Sequence, residues 1–493
     1  MKKKIKGFFD AITLEEMHSR ERGSIRLPTV SVKQSKSDMY KTLIPLAKES
    51  RRVNKGAKKT GSEKKSIGQK CPALNTKIVP SEVIREFART TPDCASCGLC
   101  NQVKSPKIAP YGRFKKEIFV LGEAPGEEED QRGLPWQGRA GQRLQQLFKK
   151  YGLDLFQDCV CLNAVNCRPT EAGAKNRPPT TAEVNFCRPY VISTILKYQP
   201  KMLFLLGGSA LNSLLSILWG QEDLSISRWH GWVVPDQTLK TWIVPLYHPS
   251  YIERQQWLPE VQILWESEFA TAIKYLSVPF PEESSNEEKV EIVETLGQAI
   301  DVLQKIKDEA IFLAFDLETT GLKPYAEGHK IVCVSFCYNK NKSYVMPFFK
   351  EDAEFLTLLK EILENVEIKK IAANMKYEDT WLDTLCKIDV QGWIWDTVLA
   401  AHILDNRVGV CSLKFQTYVN FGVADYSTEV APFLTTQEED ANAINSIEKL
   451  LETKEGKEKL YKYCGLDSLF TYRLAFTQMR QFGASPRELV PYD

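Results

Sequence analysis

The chain has 493 residues, 43% of them hydrophobic and 26% charged, with a formal net charge of +2. That length is long for one domain, and no apolar run approaches the roughly 18 residues of a membrane-spanning helix. An odd count of 13 cysteines, and a start Met1-Lys2-Lys3-Lys4 with no apolar stretch behind it, argue for a reducing, cytoplasmic setting rather than a secreted disulfide framework.

From Ser31 to Lys70 the chain is rich in lysine and arginine, with few acids and almost no aromatic residues. Residues 1–85 are therefore expected as a largely disordered basic arm, adding phosphate attraction or merely solvating the chain. Cys94 and Cys97 then form a C-x-x-C pair, with Cys100 at the same spacing and Cys167 and Cys187 further on. Four thiolates suit structural zinc, among other groups. Glu117–Leu121 reads as a short apolar strand running into Gly122-Glu123-Ala124-Pro125-Gly126, where two glycines and a proline let the backbone turn sharply and approach a ligand. Glu127 to Asp130 read as a mostly solvated helix start. Gly133-Leu134-Pro135-Trp136-Gln137-Gly138 follows, then Leu162-Asn163-Ala164-Val165-Asn166-Cys167-Arg168-Pro169. After the strand Trp242–Leu246 comes Tyr247-His248-Pro249-Ser250-Tyr251. Each singled-out residue has a plainer alternative: Trp136 as a core aromatic, Asn163 as a turn cap, His248 as a satisfied loop histidine.

In this order the pieces, from Asp93 to Leu276, resemble the family 4 branch of the uracil-DNA glycosylase superfamily. The resemblance implies a three-layer α/β domain over 86–278 that meets uracil flipped from a duplex or in a single strand. It implies a 4Fe–4S cluster on Cys94, Cys97, Cys167 and Cys187, with Cys97 and Cys100 as an alternative pair. By the same resemblance Trp136 stacks on the uracil face, Asn163 reads its pairing edge, and His248 hydrogen-bonds the oxygen that gains charge. Glu123 stabilises the cationic sugar or places water, and Ala124 stands in the substrate site where some relatives have aspartate. The stretch Glu171–Pro179 lacks the basic insertion of relatives that trap the sugar, so turnover is expected rather than a covalent adduct.

The acidic segment Pro279–Val290 reads as a linker, placed at 279–290. Beyond it, Ala310–Phe315 is an expected strand ending in Asp316-Leu317-Glu318. Residues two apart share a strand face, so the two carboxylates converge and can hold a divalent metal. Ile331–Tyr338 and Lys342–Pro347 read as strands, Phe355–Leu363 as a helix and Ile368–Ala373 as a short strand. Asn374-Met375-Lys376-Tyr377-Glu378-Asp379 opens a helix, and Tyr463 and Asp467 lie one turn apart on a late one. Cys159, Cys161, Cys333, Cys337 and Cys464 read as small buried apolar residues.

These segments, from Glu291 to about Gln481, resemble the three motifs of DnaQ-like exonucleases, including the proofreading domains of family A DNA polymerases. The resemblance implies an α/β, RNase H-like domain over 291–493 that uses two Mg²⁺ or Mn²⁺ ions. Asp316, Glu318 and Asp467 would be ligands and Tyr463 would orient the attacking water. Spacing allows Glu378 or Asp379 as the acid of the second motif, with Asp379 the expected one. The whole then resembles the amino-terminal part of a phage-type DNA polymerase, acting on DNA and not on a membrane, with the polymerase expected either as a separate polypeptide partner or as the remainder of a longer product. Two rivals are a glycosylase fold that only binds, and an exonuclease that trims RNA.

Overall fold

The computed structural model describes residues 80–171, 175–255, 258–283, 285–436 and 442–491. The expected arm therefore lies outside the described residues up to 79. Helix α1 (Pro80–Arg89) has Val83 and Ile84 buried in the first core, so the boundary expected at residue 86 cuts an amphipathic helix that belongs to that body.

The first sheet holds β1 (Ile118–Gly122), β2 (Cys159–Asn163), β3 (Met202–Leu206), β4 (Val234–Asp236) and β5 (Thr241–Leu246) in the order β2-β1-β3-β5-β4. All pairings are parallel except β4 with β5. Every residue of β1, β2, β3 and β5 is buried, as a parallel sheet with helices on both faces requires. Phe119, Leu121, Leu203 and Leu205 face α1, α4 (Thr181–Tyr198) and α5 (Gly208–Trp219). Ile118, Val120, Met202 and Phe204 face α3 (Arg139–Lys150) and α7 (Pro259–Lys274). Between these come α2 (Glu127–Arg132) and α6 (Pro249–Arg254), at the ends of β1 and β5.

The second sheet runs β11-β10-β7-β8-β9-β6, built from β6 (Val290–Ile292), β7 (Phe312–Thr319), β8 (Ile331–Asn339), β9 (Lys342–Pro347), β10 (Lys369–Ala372) and β11 (Trp393–Asp396). β7, β8 and β9 are antiparallel neighbours, while β10 and β11 run parallel to β7. Helices α8 (Leu296–Glu309) and α9 (Ala353–Leu363) cover one face, and α13 (Lys454–Gln481) covers the other. α10 (Met375–Cys386) follows β10, and α11 (Thr397–Leu404) follows β11. Both bodies are α/β, as expected.

Residues 279–290 are not a free linker. Phe280 packs edge-on against Trp242 at 5.5 Å, Arg473 pairs with Glu283 at 3.1 Å, and Val290 already belongs to β6. A second seam joins the bodies through α12 (Leu413–Phe421). Its Phe415, Tyr418 and Val419 lie in the core of the first sheet, against Trp219 and Trp229. The Tyr418 hydroxyl donates to buried Asp236 at 2.9 Å. At Gly422, with φ of 69°, a Cβ would lie 1.6 Å from the Pro235 carbonyl oxygen, so only glycine allows that approach. No described helix is long and apolar enough to cross a membrane.

Two candidate active sites

Strand β7 continues past the end expected at Phe315, so Asp316 and Glu318 lie within it and share a face. They line a cleft of about 640 Å³ with Glu378, Tyr463 and Asp467. Asp379 is not in this cleft. It lies one position further round α10, where its carboxylate accepts a hydrogen bond from Trp393. The register is set before the helix begins. Asn374 takes a left-handed conformation with φ of 76°, and Asp396 accepts from the Asn374 and Met375 amides at 3.2 and 3.0 Å. Glu378 is thereby turned into the cleft and the expected Asp379 away from it.

The cleft concentrates negative charge. Removal from water, then the neighbouring Asp467, holds the Asp316 carboxyl well above its usual range. Glu318 and Glu378 are raised in the same way, by burial and then by Asp316. Oε2 of Glu378 is buried with no hydrogen-bond partner. Tyr426 donates to Oδ1 of Asp467 at 2.6 Å, and Lys414 forms an ion pair with the same oxygen. The Lys414 ammonium lies over the rings of Tyr426 and Tyr463, 4.1 and 4.2 Å from their centroids. An oxygen-rich cleft with an orphaned carboxylate oxygen fits hard divalent cations, with Asp316, Glu318, Glu378 and Asp467 as ligands.

A second constellation sits at the carboxyl ends of the first sheet, where open α/β sheets present their sites. Glu123 follows β1, Asn163 ends β2, and His248 caps α6 directly after β5. Gly122 lacks a Cβ that would fall 2.4 Å from Asn163 Oδ1 and 2.6 Å from the Trp136 ring. The Trp136 ring stacks on that of His248 at 5.4 Å. Ser209 donates to Glu123 Oε2 at 2.9 Å. The Ser250 amide donates to His248 Nδ1 at 3.2 Å, which leaves the proton of a neutral imidazole on Nε2. Desolvation pushes His248 down to about 4, so the ring is neutral at physiological pH. Trp136, Asn163 and His248 come together, with Glu123 at the adjoining strand end. Ala124 instead packs toward a cysteine-lined cluster.

That cluster surrounds a cavity of about 340 Å³ lined by Cys94, Cys97, Cys100, Cys167 and Cys187. Asp93 caps the turn carrying Cys94 and Cys97, and the Lys107 amide donates to Cys167 Sγ at 3.2 Å. Among the described residues no three of these thiols lie within 4.8 Å of one another. Several thiols converging on one cavity suit a thiolate-held group, whether an iron–sulfur cluster or a zinc ion.

Residues 109–267 match the model of the uracil DNA glycosylase superfamily, and 290–480 match that of a 3'-5' exonuclease. A type-4 uracil-DNA glycosylase of Archaeoglobus fulgidus is 30% identical over 190 residues, covering 38% of this chain and 90% of that protein. The chain belongs to the type-4 uracil-DNA glycosylase family. The type-4 enzyme of Sulfurisphaera tokodaii is 34% identical over 162 residues, covering 32% of this chain and 70% of that protein. A DNA polymerase of Bacillus phage SP01 is 22% identical over 324 residues, or 60% of this chain and 33% of the polymerase. The chain thus spans about a third of that polymerase's length.

Within the type-4 glycosylase body, the sequence reading missed Glu129 and Asp130. The acidic run suggests solvation for both, yet Glu129 accepts from the Gln137 and Gly138 amides at 2.8 Å and so fixes the loop that carries Trp136. Asp130 is buried, accepting from the Ser105 amide at 2.8 Å. In the exonuclease body it missed Lys414, Tyr426 and Asp396, whose partners lie far away in sequence.

Proposed function

We propose that this chain excises uracil from DNA with its first body and shortens DNA from the 3' end with its second, in company with a DNA polymerase. The observation that carries the nuclease reading is the cleft holding Asp316, Glu318, Glu378 and Asp467, whose crowded charges call for cations. Two Mg²⁺ or Mn²⁺ ions held there would supply an activated water, a neutralised phosphate and a stabilised leaving oxygen. Tyr463, one turn before Asp467, orients the attacking water. Lys414 and Tyr426 fix the Asp467 carboxylate in its rotamer.

For excision, Trp136 offers a ring face to a flipped base and Asn163 an amide for its pairing edge. Neutral His248 donates from Nε2 to the uracil oxygen that gains charge as the bond breaks, a preorganised donor of the kind that stabilises a developing oxyanion. Glu123, which accepts from Ser209, would stabilise the cationic sugar or place water. Cys94, Cys97, Cys167 and Cys187 would hold a 4Fe–4S cluster, which ties the turn at 94 to the loop at 167. Similarity to a phage polymerase supports a replication setting in a bacterial cytoplasm.

One 5'-labelled strand with a single internal uracil tests both halves. In EDTA followed by hot alkali, cleavage at the uracil is expected, because excision needs no catalytic cation. Restoring Mg²⁺ should produce a ladder of shortened products. An intact strand in EDTA would reduce the first body to a binding module, and no ladder with Mg²⁺ would remove the nuclease.

A further inference from the structure

Two thiols that phosphodiester hydrolysis does not use lie behind the acidic cleft. Cys464 on α13 and Cys333 on β8 are fully buried and hydrogen-bonded to each other. Cys464 Sγ is 3.9 Å from the Asp316 carbonyl oxygen and 4.0 Å from Asp316 Oδ2. Its placement is rigid: Ser335 on β8 donates to the Cys464 carbonyl at 2.7 Å, and Cys333 sits opposite Glu318 in the register of β8 with β7. Ligand atoms of Asp316, Glu318 and Cys464 lie within 4.8 Å of one another, the only such trio among the described residues. Independently, the partnerless and buried Oε2 of Glu378 in the same cleft marks a place where a cation belongs.

We infer that Asp316, Glu318 and Cys464 form a site for a thiophilic divalent cation of the zinc and cadmium class, and that its occupancy blocks the nuclease. This rests on reading the cleft as the exonuclease centre. Zinc takes oxygen at about 2.0–2.2 Å and sulfur at about 2.3 Å, so the three ligand atoms need close by only about 1 Å. Cys333, the neighbour of Cys464, lies outside that trio, so the fourth position is left to water. Magnesium prefers oxygen ligands in near-octahedral geometry, whereas thiolate favours softer ions, so the sulfur separates the two classes. On binding, a metal–sulfur bond forms and the thiol proton leaves to solvent, with no change of oxidation state. Bound there, the cation draws Asp316 and Glu318 toward α13, away from the arrangement that hydrolysis needs.

The test uses the full chain with its cysteine-lined cavity in the as-purified state, and cadmium chloride as the probe. Bound cadmium is counted by equilibrium dialysis, and the cadmium–thiolate absorption is recorded, for wild type, Cys464→Ala and Cys464→Ser. Wild type should bind one more equivalent than either variant and show the stronger thiolate band. In parallel, the zinc concentration that halves Mg²⁺-supported 3' trimming should rise at least about 10-fold in the variants. Equal stoichiometry and equal absorption in all three proteins would overturn the inference. An extra equivalent bound through Cys464 in a protein that never trims DNA would keep the site and sink the exonuclease reading. If Cys464→Ala fails to fold, as judged by melting, the serine variant preserves the volume and carries the comparison.

Discussion

Glu378 and Asp379 are neighbours of nearly equal chemistry, yet a rotation of about 100° about the helix axis separates their side chains. Glu378 is turned into the cleft without a hydrogen-bond partner for Oε2, while Asp379 bonds Trp393. Glu378→Gln should therefore lower 3' trimming by about 100-fold or more, a loss of the size seen when one charge-stabilising group is removed. Asp379→Ala should stay within about 3-fold of wild type in the same gel assay. Equal losses would mean that the register of α10 changes when DNA binds. Asp316 and Glu318 were legible because strand alternation alone puts them on one face. The choice between Glu378 and Asp379 was not, because the left-handed Asn374 and its contact with Asp396, 22 residues on, decide where the helix starts. Glu129 was illegible for a similar reason: an acidic run looks solvated until the amides it caps are known.

Among the elements, strands and their order along the chain could be read from apolar runs bounded by turn residues. The partner of α12 could not, since an amphipathic pattern says that a face is buried without saying against what. Tyr418 fills that gap, meeting Asp236 from the other body. Burial raises Asp236 to about 6, with the Leu239 amide, Tyr418 and Lys240 working in the opposite direction. A carboxyl whose folded value is raised contributes stability that is present below its unfolded value near 4 and lost as pH rises through about 6. Asp236→Asn removes the charge while keeping an acceptor for Tyr418. The wild-type protein should therefore lose melting temperature relative to Asp236→Asn between pH 4 and 7, with the difference flat above pH 7. A constant offset across the whole range would show that Asp236 is ionised throughout. The supposed linker teaches the same lesson, because its prolines and acids suggested solvent while Phe280 and Glu283 had partners on both sides.

At the scale of the whole molecule, the acidic cleft of the second body calls for cations. Asp316, Glu318 and Glu378 are all raised, so without metal the folded state is least stable where they are forced to ionise. By the same sign rule, protein in EDTA should melt at progressively lower temperature as pH rises above the ordinary carboxylate range. Added Mg²⁺, which binds only the folded state, should restore the loss, and the gap between the two melting curves should widen with pH. Asp316→Asn should narrow that gap, and a gap independent of pH would mean that these carboxylates do not control cation binding. The seam at Gly422 and Pro235 has a further bearing on how such a protein could be taken apart or recombined. Cutting the gene near residue 278 would free a glycosylase whose Trp219 and Trp229 had lost Phe415 and Tyr418, leaving an oily scar where a neighbour used to be. A graft of the type-4 body onto another protein would have to carry α12 and Gly422 with it, so the unit that must travel together is larger than the first sheet and its own helices.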